Sequence, residues 1–185
     1  MEERLTTGEN LQTAESVSPD GRWLTYRHLS PITGNDIWLL SLEGERKAQP
    51  LVQTRFGEGD SAIAPDGRWL AYNSNESGRN EVCVQPFPGP GAKTQISTEG
   101  GSQPKWVRNG RELIYRYNDK VSAVEITTTP TFTVGKPRLL FEVALGDFYA
   151  VTRDGERCIG TQPVEPEQPA TQITVVLNWA AGLKR

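Results

Sequence analysis

At 185 residues the chain is long enough for one ordinary domain with a sizeable core. Apolar residues make up only 36% of it, and 18 glycines with 13 prolines favour short strands joined by turns over long helices. A net charge of -3, mixed along the chain without a basic stripe, argues against a nucleic-acid partner, and no apolar run is long enough to span a bilayer.

Residues 3–7 read as a short strand, followed by a polar turn through Gly8 and Asn10. An extended piece at 15–18 runs into Pro19-Asp20-Gly21. Asp-Gly between extended runs predicts a hairpin in which both central residues tolerate positive φ. The return strand is 22–27. After a Pro, Gly and Asn loop at 30–35 comes the continuous apolar run Asp36-Ile37-Trp38-Leu39-Leu40, as in a strand covered on both faces, and 49–53 supplies a fourth strand. The same order returns: strands at 61–64, 69–73, 81–84 and 93–97, then 104–107, 113–116, 121–126 and 138–141, and lastly 148–152, 157–161 and 173–179.

The order repeats because a motif repeats. Ser18-Pro19-Asp20-Gly21-Arg22-Trp23-Leu24 is matched by Ala64-Pro65-Asp66-Gly67-Arg68-Trp69-Leu70, and more weakly around Asn109-Gly110 and Asp154-Gly155. The acidic or amide residue recurs at steps of 46, 43 and 45 residues. Aligned on it, Val17, Ile63, Trp106 and Val151 stand three before, Leu24, Leu70, Leu113 and Cys158 four after, and Tyr26, Tyr72, Tyr115 and Gly160 six after. Four short antiparallel strands in about 45 residues, four times over, describe an all-β fold: a β-propeller of four repeats spanning roughly 16–60, 61–101, 102–145 and 146–179. The strand at 3–7 is expected to complete the last blade, with 1–185 a single propeller domain or a piece of one. Three arrangements fit the ends: a closed four-blade ring, a half-ring completed by a second chain, and a piece of a larger ring, which the sequence favours.

The repeat Ser-Pro-Asp-Gly-Arg-Trp-Leu, with its later Ile-Trp strand, resembles the WD40-like repeats of TolB-type bacterial propellers across essentially the whole chain. More narrowly, residues 69–78, 84–91, 109–115 and 175–179 resemble the propeller region that follows the kinase domain in bacterial serine/threonine protein kinases. That resemblance implies a sensor or interaction module. No His-Arg-Asp loop, Asp-Phe-Gly or Val-Ala-Ile-Lys strand is present, so kinase activity is not expected of this chain. The third and fourth turns also depart from the pattern, with Arg108 and Arg153 in place of the proline.

The chemical candidates reduce to structural roles. The Asp-Gly pairs recur at one hairpin position and read as turn residues. Gly89 to Thr94 lacks the glycine before Lys93 that a phosphate loop needs, and Pro86, Pro88 and Pro90 read as a stiff connector. The lone His28 lacks a second His to share a metal and reads as a surface loop residue. Cys83 and Cys158 read as buried thiols. Trp23, Trp38, Trp69, Trp106 and Trp179 sit at strand positions suited to packing between blades. No catalytic, cofactor or metal residue is assigned, and no cofactor is expected.

Strand alternation puts the Asp-Gly turns and the 86–91 connector on one face. The loops at 30–36, 55–60, 74–80, 98–101 and 145–147 fall on the other, where binding is expected, with Arg55, Arg79 and Glu99 as its probes. The expected function is non-catalytic recognition or scaffolding for a protein, peptide or glycan. The alternatives are an accessory propeller of a hydrolase whose catalytic domain lies elsewhere, and a truncated remnant that self-associates. Residues 1–10 carry no secretory core, so the chain as written would stay in the cytoplasm. As part of a membrane-anchored kinase it would be periplasmic or extracellular.

Overall fold

The structure, a computed structural model, describes residues 3–144, 146, 149–162 and 173–177, the last five by their backbone alone. Leu145, Asp147, Phe148, the Pro-rich segment after residue 162 and Trp179 lie outside the described residues. Among those described there is no α-helix, and no helix long and apolar enough to cross a membrane.

The chain divides into two compact units, 1–104 and 105–185. The first unit holds two four-stranded antiparallel sheets. Sheet 1 runs β1 (Gln12–Val17), β2 (Trp23–Ser30), β3 (Gly34–Ser41) and β4 (Ala48–Val52) side by side. Sheet 2 repeats the meander with β5 (Glu58–Ile63), β6 (Trp69–Ser74), β7 (Glu81–Pro86) and β8 (Thr94–Gln95). In the second unit, β9 (Ser102–Val107), which carries the division, pairs with β10 (Glu112–Tyr117), and that with β11 (Lys120–Thr127). The far edge of β11 is shared by β12 (Thr133–Val134) and β13 (Arg138–Glu142), where the sequence predicted one strand. The last sheet is β14 (Tyr149–Val151), β15 (Arg157–Thr161) and β16 (Ile173–Leu177). These are the meanders the four repeats predicted.

The motif turn differs in detail from the expected two-residue hairpin. Gly21 N–H donates to Ser18 O at 2.9 Å and Ser18 N–H to Trp23 O at 2.8 Å, and Gly21 takes the positive φ of 73° while Asp20 does not. Pro19 is the cause. Its ring fixes φ for the second position of an ordinary turn, which moves Asp20 to the third and leaves the left-handed step to glycine. The Asp20 carboxylate then accepts Arg22 N–H (3.1 Å) and the Ser18 hydroxyl (2.5 Å), and these bonds hold its pKa below the usual value. Asp66 and Asp154 do the same for Arg68 N–H and Glu156 N–H. The third turn, lacking both Pro and Asp, winds left-handed through Arg108 (φ 50°), Asn109 (φ 57°) and Gly110 (φ 82°).

Alternation along the strands builds the core. Ile37, Leu39 and Val52 of sheet 1 meet Ile63, Leu70, Tyr72 and Cys83 of sheet 2, with Phe87 from the connector and Trp23 at the margin. Val17, Leu24 and Tyr26, the repeat equivalents of Ile63, Leu70 and Tyr72, therefore lie on the face of sheet 1 that points away from sheet 2. On that face Tyr26 and Leu40 are still buried, but Val17, on the edge strand β1, stays 54% exposed, where the repeat pattern predicted a core position. The second unit packs Val107, Ile114, Val121, Ala123, Leu140, Tyr149 and Cys158 together. Both cysteines are buried and unpaired, as expected.

Residues 3–7 are a correction: they form no strand. Leu5 is their only apolar side chain and remains exposed, so there is no face to bury. Their polar groups bond locally instead, Arg4 to Thr6 O, Thr6 to Gln12, and Glu3 to Arg46. The expected completion of the last blade by this segment is thus not found.

Candidate functional site: a crevice on the second sheet

Sheets 1 and 2 are joined at the start of β5 by a carboxylate clasp. β1 bulges at Glu15 and β5 bulges between Gly59 and Ala62. The first bulge aims the Glu15 carboxylate at the second, where it accepts Asp60 N–H (2.9 Å), Ser61 N–H (2.8 Å) and the Ser61 hydroxyl (2.6 Å). Burial raises the Glu15 pKa, and the bonds from Ser61 and Asp60 pull it back. Arg27 lies 3.8 Å from Asp60, whose other oxygen accepts Gln103 N–H at 3.2 Å. Asp60 and Gln103, each six residues before its turn residue, both adopt φ near 50° (53° and 52°). Left-handed backbone at a non-glycine residue persists only where its surroundings hold it, and the clasp does so at Asp60.

Sheet 2 and its loops enclose a crevice of about 280 Å³, lined by Ser74, Glu76, Ser77, Glu81, Cys83, Lys93 and Gln95. The lining follows from register. Glu58 pairs with Ser74 and Ser74 with Glu81, while Tyr72 pairs with Cys83 and Cys83 with Gln95, and cross-strand partners share a face. That face is the one turned toward sheet 1, because Tyr72 and Cys83 pack against Ile37, Leu39 and Val52. Its apolar half makes core, and its polar half lines the opening.

The charges there have distinct roles. Glu81 is saturated: it accepts Ser97 Oγ (2.5 Å), Gly100 N–H (3.0 Å) and Arg79 Nε (2.7 Å), bracing the 98–101 loop. Glu76 forms an ion pair with Lys93 at the mouth. Glu58, on β5 and outside the lining, is 2% exposed, and its Oε1 accepts the Thr54 hydroxyl at 2.5 Å, while its Oε2 has no hydrogen-bond partner among the described residues. Burial and then the Asp36 charge raise its pKa, opposed by the Thr54 bond and by Lys93. Burial and the surrounding carboxylates Glu76, Glu81 and Glu58 push the Cys83 thiol up to about 11 against the pull of Lys93, so it is an inert thiol at neutral pH.

The residues singled out from sequence scatter. Arg79, expected as a binding charge, is a loop brace that also donates to Thr98 O, so reversing it would unmake the loop it was meant to probe. Arg55 lies over the Phe56 ring at 4.9 Å. Glu99 is exposed beside Gly100. His28 is not a loop residue: it lies in β2, half-buried, with its ring 5.0 Å from that of Trp38. Among the described residues no group of three or more His, Cys, Asp or Glu could hold a metal ion. Sequence reasoning passed over Glu58, Glu81 and Lys93 as site residues; they come from β5, β7 and the segment before β8 and share no motif. The one available signal was an acidic residue opening each of the segments 58–63 and 81–86.

In the second unit a shallow depression of about 420 Å³ lies between the third and fourth turns, lined by Arg108, Asn109, Arg111, Arg153 and Asp154. Arg108 is committed to Glu112 and Glu156, each at 3.2 Å, which lowers the depression's net charge.

No family model matches the sequence, and no curated protein matches it. Solved structures do. TolB from Acinetobacter baumannii aligns with a TM-score of 0.69 at 18% identity, over 87% of this chain and 40% of that one. A puromycin-hydrolyzing peptidase from Mycobacterium tuberculosis aligns at 0.66 and 15%, over 95% of this chain and 28% of that one. A chain of the nidogen/laminin complex aligns at 0.62 and 14%, over 90% and 64%. This chain is thus similar in fold to TolB-like and WD40 β-propeller proteins, and spans less than two thirds of each of the three.

Proposed function

We propose that the chain is a non-catalytic recognition propeller, binding a protein or peptide through the loops opposite the Asp-Gly turns. The observation that carries the reading is the crevice on that side. It is a concave, polar site on loops held rigid by Glu81, Arg79 and the mutual bonds of Gly57 and Asn75 (2.9 and 3.2 Å). Binding residues concentrate in such loops on a rigid scaffold. A propeller-fold neighbour belongs to a protein complex, which agrees with this use of the fold. The sequence resemblance extends the proposal to the sensor module of a larger bacterial kinase. A glycan is the other ligand class that this surface would admit.

The test is a peptide and glycan array probed with the full chain and two variants. Binding lost in Glu76→Lys and kept in Asp66→Ala, on the opposite turn, is the expected result. Binding untouched by every substitution on the loop side would overturn the reading. A second reading, the accessory propeller of a hydrolase, draws on the likeness to the peptidase. Under it, the gene would continue in frame into a catalytic domain.

A further inference from the structure

Between the third and fourth turns the charge balance of the repeat breaks down. In the first two turns the arginine two places after the turn residue pairs with that residue's own carboxylate: Arg22 lies 4.0 Å from Asp20, and Arg68 lies 3.0 Å from Asp66. In the third turn Asn109 stands where the aspartate would be, so Arg111 keeps its position and loses its anion. Its Nε donates to Arg108 O, and its guanidinium has no ion-pair partner among the described residues. In the fourth turn Arg153 replaces the proline, and its exposed guanidinium is likewise unpaired among the described residues. The third arginine of the depression, Arg108, is taken up by Glu112 and Glu156. The one carboxylate of the lining, Asp154, accepts the Thr152 hydroxyl and Glu156 N–H and feels the charge of Arg157. Two guanidiniums are therefore left unmatched in one depression, in a chain whose net charge is -3. The turns that carry them are fixed side by side. Arg108 N–H donates to Arg153 O at 2.8 Å, and a Cβ at Gly155 would stand 3.3 Å from Val107 Cγ2. Local departures of this kind, which give up an internal ion pair without a structural return, concentrate at functional sites.

We propose that this depression docks an acidic peptide segment of a partner protein, with one carboxylate on Arg111 and a second on Arg153. A guanidinium presents a planar fork that a carboxylate fills with two parallel hydrogen bonds, so two separate forks suit two carboxylates along a chain. Nucleic acid suits the surface less, because two free cations are too few for a phosphate backbone that binds through a row of them. Both pairs would be exposed, so each contributes little by itself and salt weakens both. The proposal goes beyond the recognition reading: the surface lies on the turn side of the third and fourth repeats and shares no residue with the crevice.

The experiment titrates the full chain, labelled with nitrogen-15, with acetyl-Gly-Glu-Glu-Glu-Gly-amide and with the same peptide carrying glutamine for glutamate. Saturable shifts of the Arg111 and Arg153 amides are expected with the acidic peptide alone, and the binding should weaken as salt is raised. Arg111→Gln and Arg153→Gln should each lower the affinity about two- to fivefold, as for an exposed ion pair. Asn109→Asp, which restores the partner present in the first two turns, should lower it too. Arg68→Gln removes an arginine already paired within its own turn and should leave the affinity unchanged. All four positions are exposed, and a melting temperature equal to the parent's shows that each variant folds. Equal shifts with the glutamine peptide, or an affinity unchanged when Arg111→Gln and Arg153→Gln are combined, would overturn the proposal. So would an Arg68→Gln variant weakened as much as Arg111→Gln, since that is a response to net charge alone. Tighter binding of an oligothymidylate at the same residues would overturn the choice of a peptide. The array test of the crevice is read separately, so either proposal can fall while the other stands.

Discussion

Truncating Glu15 to alanine tests the clasp that joins sheets 1 and 2. One carboxylate, whose side chain is 8% exposed, satisfies two backbone N–H groups and a hydroxyl on the neighbouring sheet. Alanine leaves Asp60 N–H and Ser61 N–H without acceptors. The Ser61 hydroxyl keeps its bond to Thr25 Oγ1 at 2.9 Å and so loses less. Each buried donor left unsatisfied costs about 1–3 kcal/mol, so the pair comes to roughly 2–6 kcal/mol. Release of Asp60 from its left-handed conformation on unfolding lies in both chains and cancels. At about 2–4 °C per kcal/mol for a domain of this size, the melting temperature should fall by roughly 4–24 °C. Urea unfolding gives the free energy, and hydrogen exchange reports the Ser61 amide, whose protection should drop first. Glu15→Gln should cost less, about 1–3 kcal/mol, because its amide still offers one acceptor oxygen. If Glu15→Ala unfolds within about 0.5 kcal/mol of the parent, the range of an ordinary surface change, with Ser61 protection intact, the clasp does not hold the sheets together.

Other substitutions reach different parts of the structure. In Glu58 the folded-state pKa lies above the unfolded one, so its stabilising contribution is present at acid pH and is lost as pH rises through the raised value. Glu58→Gln should therefore flatten the fall of stability with pH above the ordinary glutamate range and match or exceed the parent at neutral pH; denaturant titrations across that range check it. Asp20 and Asp154 have the opposite sign. Their lowered pKa values stabilise the fold above the unfolded value, and that contribution is lost as pH falls through the lowered one. Asp20→Ala and Asp154→Ala should thus lower the melting temperature at neutral pH by less than Glu15→Ala does, and the difference from the parent should shrink in acid. At Gly101 a Cβ would stand 2.5 Å from Ser97 Oγ and 2.9 Å from Val82 Cγ2. Gly101→Ala should cost about 1–3 kcal/mol by overpacking, read from urea unfolding.

The meander was legible in the sequence because each strand is short, bounded by turn residues and repeated. An error at one repeat was corrected by the next. Ile63, Leu70 and Tyr72 were recognisable as core from alignment alone. The same alignment misplaced Val17, since a residue on an edge strand needs cover that its own strand does not supply, while Tyr26 on the same face is buried. Residues 3–7 misled for a related reason: extended-looking residues with one apolar side chain form a strand only where a partner edge supplies bonds. The crevice was illegible because its polar wall comes from β6 and the loop after it, β7, and β8 with the segment leading to it, at positions that look like ordinary strand ends. Arg79 looked like a free charge because its acceptors, Glu81 and Thr98 O, become its neighbours only after the loop closes.

The bonds that Glu15 and Ser16 accept from the backbone of sheet 2 have sequence separations of 45, 46 and 47 residues, about one repeat length. Sheet 2 therefore docks onto the sheet translated just before it, and formation of this pair does not wait for distant chain ends to meet. Contacts of this nearest-neighbour kind shorten the loops that must close, which favours fast assembly and lets a nascent chain secure its first hundred residues before the rest appears. Damage should then act on the pair: a lesion at Glu15 would loosen sheets 1 and 2 together.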